Sequence, residues 1–108
     1  MLNDATMTGM SDEEVSDNRE QSRLEFHADG QVAELIYRTR AGRLVLVHTG
    51  VPDSLEGRGI GSKLVRAAIA KAENESLTIV PLCPFARSWL ENHPDVAENL
   101  AIDWGKGR

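Results

Sequence analysis

Between Leu44 and Glu75 the hydrophobic pattern changes period, and glycines bridge the change. Leu44-Val45-Leu46-Val47-His48 is a near-continuous apolar run suited to a strand inside a sheet. After a short connector comes Gly57-Arg58-Gly59-Ile60-Gly61, and from Ile60 the apolar positions recur at helical spacing: Ile60, Leu64, Ala67, Ala68 and Ala72, widened by Val65 and Ile69. Strand, glycine turn and helix in this order make an anion cradle. Backbone N–H groups converge at the turn, and the first helical turn adds more that lack intrahelical acceptors. A diphosphate suits such a place, with Arg58, Ser62 and Lys63 adding charged or hydroxyl donors. Gly57 and Gly61 have three residues between them, one too few for a P-loop, and the glycine spacing does not match G-x-G-x-x-G. The structural alternative is a turn that needs glycines only because it is cramped.

The flanking segments read as a sheet around this unit. Arg23–Ala28 and Gln31–Arg38 alternate on either side of Asp29-Gly30, a strong two-residue hairpin signal. Thr39 to Arg43, with Gly42, forms the next turn. Gly50-Val51-Pro52-Asp53 ends the ladder of the third strand. The helix is expected to stop near Asn74–Ser76, and Leu77–Leu82 to return as a strand. A β-α-β connection of this length makes Leu44–Thr49 and Leu77–Leu82 parallel. Pro84 opens a second helix to about Asn92, His93-Pro94 breaks it, and a short helical segment spans about 95–100. The expected fold is therefore α/β (α+β), a mixed, mainly antiparallel sheet with one parallel strand pair and helices on the sheet faces.

Composition limits the partners. The six acids and one base of residues 1–20 account for the whole formal charge of −5, so residues 21–108 are balanced. That balance argues against an electrostatically bound nucleic acid. Residues 1–20 are expected to be an acidic disordered tail, 21–104 the domain and 105–108 a flexible terminus. One cysteine excludes an intrachain disulfide, no Cys/His spacing suits a metal, and no apolar run suits a membrane span. With no export signal at the start, a cytoplasmic location is expected.

Glu56-Gly57-Arg58-Gly59-Ile60-Gly61 resembles the acetyl-CoA pyrophosphate motif of GCN5-related N-acetyltransferases, Q/R-x-x-G-x-G/A. With Val47-His48-Thr49, Val51-Pro52, Pro81-Leu82-Cys83-Pro84-Phe85 and His93-Pro94, the likeness extends in order over about residues 23–100. It is closest to the very small, single-domain YidJ-like branch of N-acetyltransferase domain-containing proteins. The resemblance implies a parallel strand pair splayed around acetyl-CoA or coenzyme A. The diphosphate would rest on residues 57–62 and the pantetheine arm between the parted strands. Two positions depart from the pattern: Glu56 stands for Gln or Arg, and Gly50 stands where relatives more often carry glutamate.

On this basis the cofactor-binding candidates are Val47, Thr49, Val51, Gly57, Arg58, Gly59, Ile60, Gly61, Ser62, Lys63 and Phe85. The catalytic candidates are Cys83, His48 and His93. Each has a plainer reading: Cys83 as an apolar filler, His48 as a core imidazole bonded to backbone, His93 as a helix-end residue, and Phe85 with Trp89 as packing. The implied activity is acetyl transfer to an amine, either a small amine or a protein or peptide, by a monomer or weak homodimer. A non-catalytic CoA-binding module and a small interaction protein are the competing classes.

Overall fold

Two tight turns fold the first half of the domain. Asp29-Gly30 (φ 53° and 74°) and Ala41-Gly42 (φ 51° and 77°) each place two residues at positive φ. This geometry matches the right-handed twist of the strands it joins. A computed structural model describes residues 15–105. In it the turns link β2 (Arg23–Ala28), β3 (Gln31–Arg40) and β4 (Arg43–Gly50) into an antiparallel meander. A short strand, β1 (Val15–Asn18), pairs antiparallel with β2. A 3₁₀ turn at Asp53–Leu55 leads to helix α1 (Ile60–Glu75), which crosses over to β5 (Thr78–Pro81), parallel to β4. Helices α2 (Pro84–Glu91) and α3 (Pro94–Ala97) follow, and the sheet order is β1-β2-β3-β4-β5.

Alternation decides which face of the sheet is buried. Leu24 and Phe26 of β2, Ala33, Leu35 and Tyr37 of β3, Leu44 and Leu46 of β4, and Ile79 of β5 join one core with Leu64, Val65 and Ala68 of α1 and Ala86, Trp89 and Leu90 of α2. Helix α1 ends as the sequence suggests. Ser76 adopts the left-handed conformation (φ 56°) and the Leu77 N–H reaches back to Ala72 O at 2.8 Å, a Schellman-type closure.

Three features depart from the sequence reading. Val15–Asn18, placed there within a tail, is an edge strand. Asp17 accepts hydrogen bonds from the Tyr37 hydroxyl and, at 2.8 Å, from Lys71 Nζ. Lys71, outside the apolar stripe that the helical spacing marks on α1, is consequently buried, with Glu75 as its second partner at 3.0 Å. The chain after α3 also joins the sheet: Ile79 N–H bonds Ala101 O, and Asp103 N–H bonds Ile79 O, each at 2.8 Å. Trp104 then packs against α2, with the Arg87 guanidinium 5.5 Å from its ring centroid. Residues 1–14 and 106–108 lie outside the described residues, and with them most of the expected acidic tail and of the expected flexible terminus.

Candidate active site

The site is built where the parallel strands part. Their pairing runs from Arg43↔Thr78 to Leu46↔Pro81 and stops, while β4 continues to Gly50 with β3 as its ladder partner. Pro81 has no N–H to offer. Leu46 O instead accepts from both Leu82 N–H (3.0 Å) and Cys83 N–H (2.9 Å), which turns the chain away into α2. The end of β4 is thus left facing a gap on its β5 side.

A β-bulge sets what that strand end presents. Tyr37 pairs with Leu46 but Ile36 pairs with His48, so Val47 is an extra residue on β4. Strict alternation would put Leu46 and Thr49 on opposite faces. With the extra residue both share the core face, Thr49 opposite the buried Leu35. His48 and Gly50 fall on the other face, opposite Ile36 and Glu34. His48 is therefore exposed rather than a core imidazole.

A cleft of about 570 Å³ runs from this strand end to the start of α1. Of the candidates, Thr49, Val51, Gly57, Gly59, Ile60, Gly61, Ser62 and Phe85 line it, together with Gly50, Leu55 and Glu56. Gly57 and Gly59 hold φ of 85° and 74°, and a Cβ on either would meet nothing within 4 Å. Their lack of a side chain leaves the cleft floor open as well as permitting the turn. Gly61 is glycine for another reason. A Cβ there would lie 2.8 Å from Phe85 Cζ, so the ring rests directly on the helix backbone.

The hydrogen bond closing the first turn of α1 runs from Lys63 N–H to Gly59 O at 3.1 Å. The amides of Ile60, Gly61 and Ser62 precede it, no side chain caps the helix, and its first turn carries no acid. Trp89 Nε1–H donates to Ser62 Oγ at 3.1 Å, which leaves the Ser62 hydroxyl proton free to turn toward the cleft.

The remaining candidates lie around the cleft or away from it. Arg58 donates to Asp29 at 2.9 Å, and both side chains are more than half exposed, so this pair is weak and exchangeable. Lys63 Nζ lies 5.3 Å from the Phe26 ring centroid. Val47, half-buried at the bulge, is not part of the cleft wall. Cys83 is 1 % exposed, with its sulfur 3.2 Å from Thr49 Oγ1, so it sits behind the wall that Thr49 provides. His93 is set at the far end of α2. Its ring stacks on Trp89 with centroids 3.7 Å apart, and its Nδ1 donates to Trp89 O at 2.7 Å.

On the face of β2 and β3 away from the core, Glu25 binds Arg23, Asn18 and His27, and Arg23 also binds Glu34. The Arg23 hydrogen bond, helped by those from Asn18 and His27, pulls the Glu25 carboxyl down to about 2. Among the described residues no three His, Cys, Asp or Glu side chains are grouped to hold a metal ion, and no helix is long and apolar enough to cross a membrane.

A family model described as GCN5-related N-acetyl-transferase matches residues 23–100. No curated protein matches the chain.

Proposed function

The chain belongs to the GCN5-related N-acetyl-transferase family, and from that premise we propose that the cleft binds acetyl-CoA and that the protein transfers the acetyl group to an amine. Acetyl-CoA-dependent acyl transfer is the family's general chemistry. What carries the reading to this chain is the uncapped start of α1, where three amides meet an open glycine floor. The fit is chemical as well as spatial, because a diphosphate needs several donors and no nearby side-chain volume.

In this reading the amides of Ile60, Gly61 and Ser62 and the Ser62 hydroxyl hold the diphosphate. Arg58 and Lys63 lie at its edge, and Arg58 exchanges its exposed Asp29 partner for phosphate. Thr49, Val51 and Phe85 line the path of the pantetheine arm. The bound molecule supplies an activated acetyl thioester, and backbone amides around Val47–Thr49, where the ladder to β5 has ended, supply donors for an oxyanion. Transfer is direct. A relay through Cys83 fits less well, because its sulfur is sealed behind Thr49. Slow reaction of Cys83 with a disulfide reagent in the folded protein is expected, and a rate equal to that of an unfolded thiol would reopen the relay.

We assign the chain to the YidJ-like branch on the motifs from Val47-His48-Thr49 to His93-Pro94, and the short turns that join the strands before α1, with no helix between them among the described residues, agree with that reading. In this reading the described residues leave the acceptor side open. The test is a CoA titration followed by amide NMR. Shifts concentrated at Gly57–Lys63 are expected, and CoA binding without them would remove the basis of the reading.

A further inference from the structure

Gly50 lines the cleft, and two side chains crowd toward it from the face opposite Cys83. A Cβ at residue 50 would lie 3.6 Å from His48 Nε2 and 4.0 Å from Glu34 Oε2. The sheet explains this convergence. Glu34 pairs directly with Gly50, while His48 precedes Gly50 by two residues and shares its face. Only the bulge at Val47 puts His48 there. Glu34 Oε1 accepts from Arg23 Nη1 at 3.0 Å, leaving Oε2 on the Gly50 side. Arg23 is shared with Glu25, so two carboxylates face one guanidinium and the cluster keeps a net negative charge. His48 is exposed and Glu34 is about a third exposed, so both are open to a ligand arriving from solvent.

We propose that Glu34 and His48, meeting over the bare backbone of Gly50, form the acceptor subsite, where Glu34 binds a primary alkylammonium group and His48 takes its proton. The assignment rests on the acyl-transfer reading of the cleft. An ammonium nitrogen has no lone pair and cannot attack a carbonyl, so an acceptor that arrives charged needs both a counter-ion and a proton acceptor. One proton passes from nitrogen to His48, and the freed lone pair forms the new C–N bond as the thioester C–S bond breaks. The second nitrogen proton, released as the amide forms, goes to the departing thiolate sulfur. Gly50 matters because any side chain there would fill the notch in which the nitrogen must sit. Arg23, Glu25 and His27 surround Glu34 from β2 and hold its carboxylate in place rather than touching the acceptor.

The test uses the full chain and N-α-acetyl-lysine methylamide as probe, with the uncharged norleucine analogue beside it, each titrated with and without saturating CoA and followed by NMR. The His48 imidazole and Gly50 amide signals are expected to move with the lysine compound and not with norleucine. Glu34→Gln should weaken that response at least tenfold and leave the CoA titration unchanged. Gly50→Ala, whose added methyl makes only ordinary contacts, should weaken it too. In the active enzyme His48→Gln should lower turnover roughly 100-fold while keeping lysine binding, since general-base catalysis contributes about 10²–10⁴. Equal responses to both probes, a lysine response untouched by Glu34→Gln, or normal CoA binding with no response at His48 would each overturn the subsite. Loss of CoA binding at Gly57–Lys63 with the lysine response intact would instead overturn the acyl-transfer reading.

Discussion

Gly59→Ala separates the two roles of the glycine turn. At φ 74° an alanine is held in the left-handed region, costing about 1–2 kcal/mol, partly offset by the smaller entropy of the unfolded chain. The added methyl meets no protein atom within 4 Å, so the variant should fold with a net loss of about 1 kcal/mol. That loss lowers the melting temperature of a domain this size by roughly 4–8 °C. Gly42→Ala is the matched control. Its φ is 77°, its Cβ also meets nothing, and it sits in the β3–β4 turn outside the cleft. Both variants should lose similar stability, but only Gly59→Ala should lose CoA affinity. Displacing the diphosphate from one amide forfeits a charge-assisted hydrogen bond of about 1.5–3 kcal/mol. At 1.4 kcal/mol per decade that is roughly 10- to 150-fold in Kd, read by calorimetric titration. Equal CoA affinities for the two folded variants would refute the cradle.

Three further outcomes follow from the packing. Asp17→Asn leaves buried Lys71 with Glu75 alone and should cost about 2 kcal/mol in urea denaturation, a loss that Lys71→Met should partly restore. Burial pushes Lys71 down, but its bonds to Asp17 and Glu75 hold it above its ordinary 10.5, and burial with the Asp17 bond raises Tyr37 from 10.0 to about 12. Both contributions are present below pH 10 and fade as pH rises through the folded values, so the stability gap between wild type and Asp17→Asn should narrow above pH 10. Glu25, lowered from 4.5 to about 2, stabilises the fold above pH 4.5 and loses that contribution as pH falls toward 2. After discounting for its partly exposed partner Arg23, about 1–2 kcal/mol should disappear over that range, and Glu25→Gln should flatten the acid limb of a pH-denaturation profile. Ala41→Asn, at φ 51° in a two-residue turn, should raise stability by about 0.5–1 kcal/mol in thermal melts, and no gain would mean the turn is not under strain.

What the sequence made legible was local. Asp29-Gly30 announced a hairpin because few pairs adopt two positive φ values cheaply, and the helical spacing from Ile60 to Ala72 needed no tertiary information. The glycine turn was legible for the same reason, although Gly61 serves the Phe85 ring rather than a positive φ. Features that depend on distant partners were hidden. Val-Ser-Asp-Asn has no strand-like alternation of its own, and only Lys71 and Tyr37 make Asp17 at home on the core face. The pairing of Ala101–Asp103 with Ile79 likewise leaves no local pattern. The bulge is the most consequential of these hidden features. Regular alternation through Val47 puts His48 and Thr49 on the wrong faces, and nothing in the apolar run betrays the extra residue. The relevance of Glu34 depends on that same count and is equally hidden.

That single surplus residue at Val47 also makes the strand a shift lever. Moving it beyond Thr49 would make a hydroxyl and an imidazole trade sides, exchanging the groups offered to the acyl carrier and to its acceptor with no change in amino-acid content. Homologues with identical residues here can therefore differ in chemistry, and an alignment column alone would not reveal it.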